Sequence, residues 1–119
     1  MLMHDEDRSS VTQFRMGQMF IKGNNPRDYE LAAHWFKGSA KQGYREAQRR
    51  IGALYALGYG VPKDSIKAYA WIKVAAEQGS SKAKGNLSKV QSRMSDRQVY
   101  FAKKLADRYY KIYVLPFLD

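Results

Sequence analysis

Residues 51–64 read Ile51-Gly52-Ala53-Leu54-Tyr55-Ala56-Leu57-Gly58-Tyr59-Gly60-Val61-Pro62-Lys63-Asp64. The first half keeps apolar residues at helical spacing, with Ala47, Ile51, Leu54 and Tyr55 recurring at three and four residues rather than two. The second half is a Gly- and Pro-punctuated loop, and Asp64 stands where a helix N-cap is wanted. After it, Ala68, Trp71, Ile72, Ala75 and Ala76 resume the helical spacing. The unit is a helical hairpin, and its elements recur upstream and downstream. A shift of 36 aligns Asp28 with Asp64, Ala32 with Ala68, Trp35 with Trp71, Lys37 with Lys73, Ala40 with Ala76, Gln42-Gly43 with Gln78-Gly79 and Ala47 with Ala83. A shift of 35 aligns Gly17 with Gly52 and Gly23 with Gly58, so the second loop carries one extra residue, a change tolerated between helices. Such a period marks a helical repeat array.

The repeat predicts helices near 11–22, 29–42, 45–57, 65–78 and 81–93, with Asp28 and Asp64 as N-caps and Gly43, Gly58 and Gly79 at helix ends. A sixth helix opens on Ser95-Asp96-Arg97-Gln98, a capping-box pattern. Its stripe of Val99, Ala102, Ala106, Tyr109 and Tyr113, flanked by Leu105 and Ile112, is suited to cover the last hairpin. The fold class is therefore all-α, a short solenoid of about six helices. It divides into an N-terminal segment 1–10 expected to lack order, a repeat domain 11–113 with hairpins at 11–43, 44–79 and 80–113, and an apolar tail 114–119.

The 119 residues suffice for one domain, and 45% hydrophobic and 13% aromatic content supports a real core. The absence of cysteine excludes disulfide scaffolds, thiol enzymes and Cys-ligated zinc. His4 and His34 have no second His one helical turn away, so no metal or cofactor is expected. Ser81-Lys82-Ala83-Lys84 matches a Ser-x-x-Lys catalytic pattern only weakly, lacking the companion motifs, and Gly58-Tyr59-Gly60 lacks the spacing of a phosphate loop. The chain reads as non-catalytic. No apolar run is long enough to span a bilayer, and Met1–Asp7 is acidic where a secretory signal would be basic and then apolar, so a cytoplasmic location is expected.

The string 51–64, followed by Lys67-Ala68, Trp71 and Ala75-Ala76-Glu77-Gln78-Gly79, closely resembles the Sel-1-like repeat, a relative of the tetratricopeptide repeat. The preceding unit, Met16-Gly17 through Gly43, matches with Phe20 as its aromatic but without the Gly-Val loop, and a third unit starts at Ala83 and Leu87 and then departs. The resemblance covers residues 12–93 and implies a right-handed α-α superhelix, of the kind that serves as an interaction scaffold in bacterial or eukaryotic complexes. In that geometry, Gly17 and Gly52 let paired helices approach, and Trp35 and Trp71 fill the space between hairpins. The first helix of each hairpin would line a concave groove: Phe14, Gln18, Ile21 and Lys22, then Glu46, Arg49, Ala53, Ala56 and Leu57, then Lys82, Gly85, Lys89, Ser92 and Arg93.

Charge narrows the partner. Residues 1–43 hold six basic and five acidic groups, 44–79 six and three, and 80–119 nine and three, within a net charge of +10. The groove is expected to bind an acidic protein or peptide segment, with Arg49 as a bidentate fork, Lys22, Lys82, Lys89 and Arg93 as steering charges, and Phe14 and Leu57 as apolar contacts. The alternative is a nucleic acid on the last helix, where Lys103, Lys104, Arg108 and Lys111 accompany Tyr100, Tyr109 and Tyr110. A third expectation is self-association through the tail Val114-Leu115-Pro116-Phe117-Leu118, folding into its own groove or a neighbour's.

Overall fold

In the computed structural model, which describes residues 9–118, six α-helices follow one another: α1 (Ser10–Ile21), α2 (Pro26–Lys41), α3 (Arg45–Leu57), α4 (Ser65–Glu77), α5 (Ser81–Gln91) and α6 (Asp96–Tyr113). A 3-10 turn at Leu115–Phe117 ends the described chain. No strand occurs among the described residues. The expected N-terminal segment, His4 included, lies outside the described residues up to position 8. Ser10 opens α1 instead, and Ser9 is its N-cap, its side chain accepting from Thr12 N at 3.0 Å.

Capping follows the sequence with one correction. Asp64 caps α4 by accepting from Lys67 N (3.0 Å), and Ser95 and Gln98 close a full capping box on α6. For α2, however, the N-cap is Asn25, and Asp28 sits three residues inside the helix. Pro26 is the reason: its fixed φ suits the first helical position, so the helix starts earlier than the aligned repeat suggests. Asp28 still serves that end, accepting from Asn25 Nδ2 at 2.7 Å while its own N–H donates to Asn25 Oδ1.

The helices pack as α1 on α2 and α3 on α4, with α2 against α3 and α4 against α5. A methyl at Gly52 would stand 2.5 Å from Ile72 Cγ1, and one at Gly17 2.5 Å from the Phe36 ring, so both pairs need a residue without Cβ at the crossing. Ala32, Ala40, Ala47, Ala68, Ala75 and Ala83 are fully buried, which lets neighbouring backbones approach closely. The repeated Gln-Gly pairs have a polar role that periodicity did not reveal. Gln78 Nε2 donates to Gln48 Oε1 (2.7 Å) and Gly43 O (3.2 Å), and the fully buried Gln48 passes its own N–H to Ala40 O (3.1 Å). One repeat earlier, Gln42 Nε2 donates likewise to Gln13 Oε1 at 2.8 Å.

The last helix departs from a simple third hairpin. α6 packs along α4, with its end reaching α2, and makes no comparable contact with α5. Trp71 is the reason: Tyr113 stacks on it at 5.2 Å between centroids, and Tyr109 lies at 4.5 Å. Ala102 and Ala106 are buried on the same seam, whereas Ile112 is exposed rather than covering. The two tryptophans also differ. Trp71 is 2% exposed, but Trp35 is only half-buried, and the adjacent Phe36 fills the core in its place. The tail turns back on its own chain: Val114 is buried in the main core and Phe117 lies beside Gly43, but Leu115, Phe117 and Leu118 are all about half exposed.

Packing on α4 leaves a titration signature. Burial, with Tyr55, Tyr113 and Asp64 adding negative charge nearby, pushes the Tyr109 hydroxyl up to about 12. Burial pushes Tyr69 on α4 up as well, with Lys73 opposing it. A raised folded-state value means stability is complete below pH 10, where the unfolded phenol is neutral, and is lost as pH rises from 10 towards 12. Urea midpoints taken across that window should fall less steeply for Tyr109→Phe than for the parent chain. Equal slopes would show that the α4–α6 seam does not hold this phenol away from water.

Candidate functional site

α3 and α5 touch, and residues from the C-terminal half of each line a cavity of about 310 Å³. Ala53, Ala56 and Leu57 of α3, Ile72 of α4 and Val90 of α5 form its apolar surface. Ile72 is the floor, since it is buried under Gly52, while Leu57 is 56% exposed at the rim. Ser65 and Asn86 contribute polar groups, and Lys63, Lys89 and Arg93 supply three positive charges, all on exposed residues. Among the described residues, no carboxylate lines the cavity. The nearest in sequence, Asp64, is turned away to cap α4.

The structure brings together four of the residues expected to bind a partner: Ala53, Leu57, Lys89 and Arg93, with Ala56 beside them. It places the others elsewhere. Phe14 packs against Phe36 and Tyr44, at 5.6 and 5.1 Å between centroids, and belongs to the core. Gln18 is half-buried on α1, and Lys22 is the exposed C-cap of α1; neither lines the cavity. The Arg49 fork is already engaged, with Nε and Nη2 each 3.2 Å from Glu46 Oε2 and the side chain 13% exposed. Ser80 Oγ donates to the other Glu46 oxygen at 3.4 Å. Lys82 lines a smaller hollow of about 190 Å³ with Arg45, Glu46, Gly79, Ser80 and Ser81.

Sequence reasoning missed Lys63, Ser65, Ile72, Asn86 and Val90. Lys63 was in plain view in the Gly-Val-Pro-Lys-Asp loop, but helical periodicity gives no direction for a loop side chain. Arg50 was also overlooked. It is half-buried, its Nε is buried without a hydrogen-bond partner among the described residues, and burial followed by the Arg49 charge pulls its pKa down against Glu46. On α6, Tyr109 is held against Trp71, so Tyr100 and Phe101 are the exposed aromatics of that helix, with Lys104 4.9 Å above the Tyr100 ring and Arg97 6.0 Å from Phe101. Among the described residues, no cluster of three His, Asp or Glu could hold a metal ion, and no helix is long and apolar enough to cross a membrane.

The sequence profile of the Sel1 repeat matches residues 10–44 and 45–80, two consecutive units covering more than half of the chain. The chain belongs to the Sel1 repeat family. Sel1 repeat proteins are generally protein-interaction scaffolds and typically non-catalytic. Two solved Sel1-type structures are similar to this chain. A protective antigen of uropathogenic Escherichia coli with this fold superposes with a TM-score of 0.86 and 26% identity, over 93% of this chain and 24% of that one. A Sel1 repeat protein from Oxalobacter formigenes gives 0.64 and 40%, over 68% and 24%. Among curated relatives, a chitin synthase regulator of Malassezia restricta is 37% identical over 60 residues, 49% of this chain and 4% of its own length. An uncharacterized Sel1-like repeat-containing protein of Schizosaccharomyces pombe is 30% identical over 104 residues, 80% of this chain and 16% of its own. This chain thus spans no more than about a quarter of any of these proteins.

Proposed function

We propose that this Sel1 repeat chain is an interaction module that seats an acidic segment of a protein partner between α3 and α5, with one apolar side chain of that segment as its anchor. The observation that carries this reading is the cavity itself: an apolar floor of Ala53, Ala56, Ile72 and Val90 under a rim of Lys63, Lys89 and Arg93, with no carboxylate lining it among the described residues. Its volume lies at the low end of the roughly 300–1,000 Å³ of ligand sites, which suits a side chain of a peptide rather than a large cofactor. The net charge of +10 steers acidic partners to it and accelerates encounter. A nucleic acid on α6 would have fewer stacking faces than the sequence offers, since Tyr109 and Tyr113 are committed to Trp71.

Selection of a displayed random-peptide library against the immobilised chain tests the reading. Enriched peptides should place Asp or Glu next to Leu, Phe or Trp. Lys89→Glu/Arg93→Glu, both on exposed positions, should keep the melting temperature of the parent and weaken those peptides at least tenfold. Peptides without acidic enrichment, or equal binding to the variant, would remove the groove from consideration.

A further inference from the structure

Six of the ten large apolar side chains exposed among the described residues lie between Tyr100 and Leu118, on α6 and the turn that follows it. The same end of the chain carries most of the excess positive charge, since residues 80–119 hold nine basic groups against three acidic ones. We propose that the outer face of α6, with the turn at its end, docks on an anionic lipid surface and makes the chain a peripheral membrane-binding module. This surface is separate from the α3–α5 cavity, none of whose lining residues lies on α6.

Helix geometry gathers both kinds of residue on one face. At roughly 3.6 residues per turn, Arg97, Lys104, Arg108 and Lys111 fall within an arc of about 120°, and Tyr100, Phe101 and Ile112 share that arc. All of these residues are exposed, and Asp96 and Asp107 lie just outside the arc. The ion pairs among the described residues, Arg49–Glu46 and Lys73–Glu77, involve none of the four cations. The opposite side of α6 is committed to the protein, through buried Ala102 and Ala106 and through Tyr109 and Tyr113 on Trp71, so the outer face is held in a fixed orientation.

The make-up of the face selects lipid over other anionic or apolar partners. A further packed helix would have to bury four uncompensated charges, whereas helices of this fold meet through small residues such as Gly52, Ala68 and Ala75. A folded acidic protein would anchor in a pocket, and α6 lines neither cavity described above. A nucleic acid would find little ring surface to stack on. Lys104 sits 4.9 Å over the Tyr100 ring, Arg97 is 6.0 Å from Phe101, and the two rings already meet edge to face at 5.4 Å. Ile112, Leu115 and Leu118, each about half exposed, offer nothing to a phosphate backbone. A membrane interface uses every one of these groups. Rings lie at headgroup depth, aliphatic side chains reach the acyl boundary, and Lys and Arg stems run along the apolar surface to place their charges on lipid phosphates.

Flotation of the full chain with lipid vesicles is the test. The chain should bind vesicles of phosphatidylcholine carrying about a third phosphatidylserine, bind phosphatidylcholine alone at least about tenfold less, and bind more weakly as salt rises. Lys104→Glu/Arg108→Glu and, separately, Phe101→Ser/Ile112→Ser change exposed positions only, so each should keep a melting temperature close to the parent's and lose at least about tenfold in vesicle affinity. Because the chain has no cysteine, Phe101→Cys and Met19→Cys each create a single labelling site. An environment-sensitive dye at position 101 should shift to the blue on the anionic vesicles, and one at position 19 on α1 should not. No binding to those vesicles, binding that ignores both pairs of substitutions, or equal dye shifts at the two positions overturns the proposal. A polythymidine oligonucleotide bound instead, and lost with Lys104→Glu/Arg108→Glu, would assign the face to nucleic acid. Lys89→Glu/Arg93→Glu should weaken vesicle binding far less, because charges off the docking face are screened beyond about 8–10 Å, and this keeps failure here distinct from failure of the groove reading.

Discussion

Trp71→Ala is expected to lower the stability of the chain by about 3–5 kcal/mol, the range for removing a buried large aromatic from a core. Trp71 is 2% exposed on α4, a helix packed by α3, α5 and α6 at once. Its ring carries Tyr109 and Tyr113, and those contacts hold α6 onto the repeats. Truncation therefore opens a cavity and removes the surface on which the terminal helix docks, and aromatic pairs add about 0.5–1.5 kcal/mol beyond area. Trp35→Ala is the control, since the equivalent residue of the first repeat is only half-buried and its ring partner is the exposed His34. Urea unfolding followed by circular dichroism should give a much smaller loss for Trp35→Ala. Equal losses would mean that the α4–α6 seam is not what makes Trp71 special.

That contrast shows how far the sequence could be read. Alignment at a shift of 36 makes Trp35 and Trp71 equivalent, and the repeat makes all six helices legible, because spacing and caps are local signals. What covers each repeat is not local. α6 leaves α5 for α4 because Tyr109 and Tyr113 find Trp71, a choice between two surfaces that one helix's periodicity cannot rank. The groove divides in the same way. Ala53, Leu57 and Lys89 line the cavity from helix faces, and Arg93 lines it from the turn after α5. Phe14 misled because an apolar residue near a helix start satisfies both a groove and a core, and here Phe36 and Tyr44 take it. Arg49 misled because its partner lies on its own helix, three residues earlier, where an ion pair forms whatever the groove requires.

Gly60→Ala is expected to be the most damaging small substitution in the chain, at about 3 kcal/mol or more. Gly60 has φ +74°, where a side chain costs roughly 1–2 kcal/mol before any contact is made. Steric overlap adds more than this strain. A Cβ there would stand 2.1 Å from Tyr29 O and 2.8 Å from Glu30 N, both backbone atoms in the first turn of α2. Neither can rotate aside, so the loop between α3 and α4 would have to lift off the preceding repeat and break the Tyr29–Tyr59 ring contact at 5.0 Å. The first repeat meets the same need differently, with Asn24 taking φ +52°. Two other glycines calibrate the result by melting temperature. Gly58→Ala suffers mainly the backbone strain, because Gly58 is left-handed and its new methyl would meet Lys63 Cβ at 3.0 Å. Gly85→Ala should raise stability by up to about 1 kcal/mol, because Gly85 lies within α5 with nothing within 4 Å of an added Cβ. If Gly60→Ala falls no further than Gly58→Ala, the loop yields freely, and the angle between repeats that shapes the α3–α5 groove is not set by this contact.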